Sequence, residues 1–155
     1  MATNAAPCYG KQYVRYAETF EAATDTQGGA IGTVEVGEFR CVSYATYAGQ
    51  NFCAPPSAFT VLPTTIVGVN QAYIPTALAE PYTARQAFIA TSGLLLIEND
   101  PASPFAAANL NAPLAINALG QASLGGTAVQ LDGTVPTIRE IVNIGGRPMV
   151  LVSFA

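Results

Sequence analysis

From Thr33 to the C-terminus the chain is a succession of short β-branched, aromatic and aliphatic runs, cut at close intervals by Gly, Pro, Asn or Asp. That punctuation is the signature of an all-β sandwich or barrel. It predicts strands at 32–36, 38–44, 59–62, 65–69, 86–91, 94–98, 114–118, 128–131, 137–143 and 148–154. Two hairpins stand out. In the first, Gln86 to Thr91 and Leu94 to Glu98 meet at Ser92-Gly93, a small pair suited to the positive φ of a tight turn. In the second, Ile138 to Ile144 and Pro148 to Phe154 are joined through Gly145-Gly146. The last strand has no polar tail, so it is predicted to pair inside a sheet or against a neighbour.

The predicted fold is therefore all-β, a small β-barrel or β-sandwich with an extended or partly helical N-terminal arm. Residues 1–30 form the arm and 31–155 a single β domain. In the arm, Tyr9, Tyr13, Tyr16 and Phe20 recur at spacings of four, three and four, which puts the four aromatics on one face if the segment is helical. They are read either as a face packed on the domain or as an arm that reaches a neighbouring subunit. Residues 100–113 hold three prolines and many alanines and are predicted to be a long surface loop.

Composition narrows the function. Half of the 155 residues are hydrophobic, a tenth are charged, and there is no His or Trp. A chain of this length buries a core without metals or disulfides. Its longest apolar stretches fall far short of the roughly 20 residues a membrane helix requires. The N-terminus lacks a basic start and an apolar h-region, so synthesis in a cytosol is expected. Net charge is -4, with the six cations scattered, which argues against nucleic acid as a partner. The acids, Glu35 and Glu38 among them, are read as solvent-facing charges on loops and strands.

Catalytic chemistry is sparse. Without histidine, triads of the Ser-His-Asp and Cys-His kinds are excluded. A carboxylate pair of the glycosidase type has no spacing that selects it. Gly28, Gly29 and Gly32 match no phosphate-binding fingerprint. Cys8, Cys41 and Cys53 make an odd count without a CxxC pair, too few ligands for structural zinc. Cys41 and Cys53 flank a turn-rich segment and can oppose each other across a hairpin, but buried reduced thiols are expected. Tyr44, Tyr47 and Phe52 around Gly49-Gln50-Asn51 leave a glycan-binding surface as an alternative.

The succession Ile66-Val67-Gly68-Val69, Tyr82 and Ala87-Phe88-Ile89-Ala90-Thr91-Ser92-Gly93-Leu94-Leu95-Leu96-Ile97 resembles the middle of the cement, or decoration, proteins of tailed-bacteriophage capsids. Val34-Glu35-Val36-Gly37-Glu38-Phe39 resembles their early strand, and Ile116-Asn117-Ala118-Leu119-Gly120-Gln121-Ala122 their later strand-and-glycine element. The similarity spans roughly residues 30–125. The resemblance implies a β domain, often trimeric, that sits on the capsid exterior and clamps adjacent coat subunits, with no catalytic residues. The aromatic arm, the three cysteines and the loop at 100–113 depart from that pattern.

The expectation from the sequence is a non-enzymatic virion protein, made in the host cytoplasm, that binds the major capsid protein of a phage head and self-associates as a homotrimer. It uses no cofactor or metal and contacts neither nucleic acid nor membrane. Tyr9, Tyr13, Arg15, Tyr16 and Phe20 are the candidate partner-binding residues, because Tyr, Phe and Arg anchor charge-poor interfaces. The rivals are another virion part (tail tube, fibre or minor capsid protein), a glycan-binding β module and a carboxylate hydrolase.

Overall fold

The computed structural model describes residues 12–21, 37–47, 50–58, 64–71 and 86–154. Cys8, Tyr9, Tyr82, the glycines at 28, 29 and 32, Glu35, and the strands predicted at 32–36 and 59–62 lie outside the described residues, as does the side chain of Phe20. The described chain is all-β. In order, it forms β1 (Tyr13–Glu21), β2 (Cys41–Tyr47), β3 (Gln50–Ala54), β4 (Gly68–Asn70), β5 (Gln86–Glu98), β6 (Ala115–Ile116), β7 (Thr127–Ala128), β8 (Thr137–Ile144) and β9 (Arg147–Phe154). Short 3-10 turns at Pro56–Ala58 and Ala107–Asn109 are its helical elements.

The larger sheet runs β3-β2-β4-β5-β9-β8, with β1 also paired to β5. All of its pairings are antiparallel. Among the described residues the sheet stays open rather than closing into a barrel. Its second layer is the excursion between β5 and β8, which carries the small β6-β7 sheet.

The segment predicted as a hairpin at Ser92-Gly93 is one continuous strand, the 13-residue β5. Its first half is flanked by β1 and β4, so that Ala90 is the partner of both Ala17 and Val69. Its second half pairs with β9, from Gly93 opposite Phe154 to Glu98 opposite Met149. Gly93 supplies the positive φ that its sequence signals, at +123°, but uses it to bend a strand. Ala90, Leu95 and Ile97 share one core. Since alternate residues of a strand face opposite sides, the phase must slip by one residue between Ala90 and Leu95. Gly93 lies in that interval. The β1 backbone crosses so closely there that a Cβ on Gly93 would collide with the Tyr13 carbonyl oxygen.

The terminal hairpin is as predicted. β8 and β9 pair from Ile144 opposite Arg147, and Gly145 and Gly146 adopt φ of 59° and 82°. Positive φ at both central residues marks a type I′ turn, whose twist matches that of the flanking strands. The Asn143 side chain accepts the Gly146 N–H at 2.9 Å. β9 is an inner strand between β5 and β8, so it offers no edge to a neighbour.

One face of β5 and β9 buries Leu95, Ile97, Val150, Val152 and Phe154 against Phe105, Leu114, Ile116 and Val129 of the second layer. Each such side chain contributes about 1.5–3 kcal/mol. The opposite face carries a smaller cluster of Leu96, Met149 and Leu151 with Phe39. The loop at 100–113 is mostly exposed, as its prolines predict, but Phe105 is buried. The buried Asn99 amide pins it, donating to the Phe105 carbonyl and accepting the Phe105 N–H, both at 3.0 Å. Cys41 and Cys53 are reduced and buried. They do not oppose each other, because Tyr44 is the partner of Cys53 and Val69 that of Cys41.

Gly93→Val combines a β-branched side chain at positive φ with a backbone collision, and we expect it to cost at least about 3 kcal/mol in chemical denaturation. Gly145→Ala, with open space around the new Cβ, pays conformational strain alone, about 1–2 kcal/mol. Equal costs at the two positions would refute a close approach of β1 at Gly93.

Candidate functional site: the exposed β1 strand and its cleft

The aromatic spacing of the arm falls on a strand rather than a helix. β1 pairs with β5 from Tyr13 opposite Leu94 to Glu21 opposite Gln86, with register shifts on both sides of Tyr16. From Tyr13 to Glu18 its side chains, Ala17 apart, stand in solvent. Tyr13 is 60% exposed and Tyr16 66%. Val14, Arg15 and Glu18 are also exposed, Ala17 is half-buried, and on β5 Phe88 stands out at 51%. Of the candidate partner-binding residues, the structure brings Tyr13, Arg15 and Tyr16 together on this strand. It also places Phe20 on β1, opposite Ala87.

β1 forms one wall of a cleft of about 590 Å³. Arg15, Tyr16 and Glu18 face Thr65–Val67 and the turn that holds Leu131, Asp132 and Thr134. Thr91 and Ser92 also line it, but their hydroxyls serve the fold. Thr91 Oγ1 donates to the Tyr16 carbonyl at 3.3 Å, and Ser92 Oγ makes a long contact to the Phe154 carbonyl at 3.5 Å. Glu18 and Asp132 are solvent-exposed, so the cleft is a wet, mixed-charge surface. Its chemistry suits polar and aromatic contact with another chain. Among the described residues, no group of three His, Cys, Asp or Glu is placed to hold a metal ion. Burial pushes the Cys41 thiol well above its usual range, which keeps it protonated and inert.

A second polar feature was invisible to sequence reasoning. Charges that look scattered along the chain converge on Glu98 at the end of β5. Arg147 Nη2 pairs with Glu98 Oε2 at 2.8 Å and Arg40 Nη2 with Oε1 at 3.0 Å. The Gln121 amide also donates to Glu98. Glu38, read from sequence as a solvent-facing strand residue, is instead a half-buried turn residue that pairs with Arg147 at 3.1 Å. The Arg147 guanidinium lies 5.4 Å from the Phe39 ring centroid. Its Nη2 also donates to the Glu38 carbonyl at 3.0 Å. Partners 23 to 109 residues apart are tied together here, so no local spacing signalled the cluster. It fastens the start of β9, the end of β5 and the turn before β2, with both Glu98 oxygens and all three Arg147 guanidinium nitrogens paired. It reads as a structural clamp.

No family model matches the chain, and no curated protein or solved structure matches it.

Burial works to raise the Glu98 carboxyl, but hydrogen bonds from Gln121 and Arg147 and the charge and hydrogen bond of Arg40 outweigh it, and the group sits below its ordinary 4.5. A carboxyl with a depressed folded-state value contributes stability above its unfolded value and loses it as pH falls through the folded one. Glu98→Gln should therefore cost about 2 kcal/mol at neutral pH. It should also flatten the acid limb of a thermal-stability profile below about pH 4.5. An unchanged acid limb would show that Glu98 is not the titrating anchor.

Proposed function

We propose that the protein is a capsid decoration, or cement, protein of a tailed phage. It binds the outside of the assembled head between subunits of the major capsid protein, stabilises the shell, associates with itself as a homotrimer and uses no cofactor. On this reading it is made in the host cytoplasm and ends on the virion exterior.

The observation that carries the reading is β1, a strand that turns Tyr13 and Tyr16 to solvent at 60% and 66% exposure in a chain with only a tenth of its residues charged. Large aromatics with a polar tip contribute much contact area at low entropic cost, and charge-depleted patches of this kind favour protein partners. Leu110, Leu119, Leu124 and Val135 add exposed apolar side chains on the loops. Stabilising a shell requires no reaction. A ligand that binds only the assembled state shifts the equilibrium toward it, and many equivalent copies multiply a modest contact energy.

The test is to mix the purified protein with undecorated capsids and image the product by electron cryomicroscopy. Density between coat subunits and a raised shell melting temperature are expected. The Tyr13→Ala/Tyr16→Ala double variant should bind shells at least about 30-fold more weakly, the loss of one or two interface anchors. Its own folding stability should change by less than about 0.5 kcal/mol. Attachment to tails alone would make it a different virion part, and no attachment to particles would overturn the proposal.

A further inference from the structure

We infer that β1 is an exchangeable strand, and that in the oligomer the β1 of one copy occupies the β5 edge of a second copy. The inference deepens the self-association proposed above and rests on that reading for the existence of an oligomer.

The way β1 is held points to exchange. From Tyr13 to Glu18 every side chain except Ala17 is exposed. Among the described residues, no β1 side chain belongs to either of the buried clusters built on β5 and β9. Among the described residues from Gln12 to Glu18, β1 is therefore held by the main-chain ladder with β5, by the Thr91 hydroxyl on the Tyr16 carbonyl and by one side chain just before the strand. Gln12 Nε2 donates to Gln71 Oε1, and Gln12 Oε1 accepts the Leu96 N–H, each at 2.9 Å. A ladder, the Thr91 hydroxyl and one glutamine latch are equally well supplied by the same residues of another copy. Exchange preserves the contacts and costs only what the connection imposes.

The connection is long. Residues 22–36 separate β1 from Gly37, and fifteen residues span up to about 50 Å when extended. The slot is also specific for this chain. Where β5 carries Gly93, β1 shifts register around Arg15, with Val14 opposite Gly93 and Tyr16 opposite Ser92. The occupant must bring its backbone against a residue without a Cβ, and must place a glutamine one residue before the ladder. A generic strand from a coat protein lacks that match. A second copy has it, and so protects an edge of β5 that would otherwise invite indiscriminate pairing.

Disulfide trapping tests this on the full-length protein with Cys8→Ser as background. Thr19 and Phe88 are Cα partners across β1 and β5, and antiparallel partners lie within reach of a disulfide. One chain carries Thr19→Cys and a second Phe88→Cys; the two are co-expressed, purified as oligomers and oxidised. Exchange predicts a disulfide-linked pair of the two chains in several-fold excess over an out-of-register control that combines Thr19→Cys with the exposed Leu124→Cys. A yield equal to the control overturns the inference. Glu21→Cys with Gln86→Cys, the last pair of the same register, gives the same readout if Phe88→Cys does not fold. Shell binding is scored separately. An exchanged oligomer that ignores shells removes the decoration role and leaves the exchange standing, whereas an unexchanged protein that coats shells does the reverse.

Discussion

A β-strand has two edges of main-chain donors and acceptors, and each must be answered by another strand, a side chain or water. β5 meets that demand with β1 and β4 along its first half and β9 along its second. The Gln12 side chain takes the Leu96 N–H, and the Phe39 carbonyl takes that of Glu98 at 2.8 Å. Phe39 also donates its own N–H to the Asn70 carbonyl at 2.7 Å, so one residue ties the end of β5 to β4. The sheet order, the position of the second layer and the exposure of β1 all follow from how β5 distributes its edges.

Gly93 makes this distribution possible. A positive φ in mid-strand changes which side chains face the core, so that Ala90 joins Leu95 and Ile97. It also leaves room for the β1 backbone. Beyond this point the strand ends at Glu98, where Arg40, Arg147 and Gln121 converge. Half-exposed ion pairs contribute little singly. Here they share one carboxylate that is 85% shielded from water, its side chain being only 15% exposed. Their joint effect is to fix the end of β5 relative to β2 and β9.

Several buried and half-buried polar side chains hold loops and strand ends in place. Asn99 pins the 100–113 loop. Asn117 Oδ1 accepts the N–H groups of Leu119 and Gln121 at 2.9 and 3.0 Å. The Ala102 N–H, with help from the Ser123 hydroxyl, holds the Asp100 carboxyl below its usual range. Such side chains have their hydrogen-bonding capacity committed to the fold. On β1 and its cleft, by contrast, aromatic rings, one guanidinium and two carboxylates meet water. The proposal of an interaction surface rests on that division.

Local chemistry made part of this structure legible. Gly145-Gly146 between two apolar runs encoded the terminal hairpin, because two consecutive residues at positive φ are what a twisted two-residue turn demands. Buried segments at Ile66 to Val69 and Met149 to Val152 followed from their apolar runs. Ser92-Gly93 was ambiguous, since a glycine between apolar runs fits a tight turn and a mid-strand phase slip equally well. The choice depended on whether β1, some 75 residues earlier, approached that backbone. The aromatic spacing in the arm matched a helix only while the segment was considered alone. Once β5 offered an edge, the segment became a strand with its tyrosines in solvent. By itself, then, the sequence determined an all-β chain with its turns and apolar segments, because φ preferences and hydrophobic runs are local properties. The pairing of β5, the gathering of charges on Glu98 and the outward face of β1 were decided by tertiary structure, because edge pairing and ion pairing join residues that only the fold brings together.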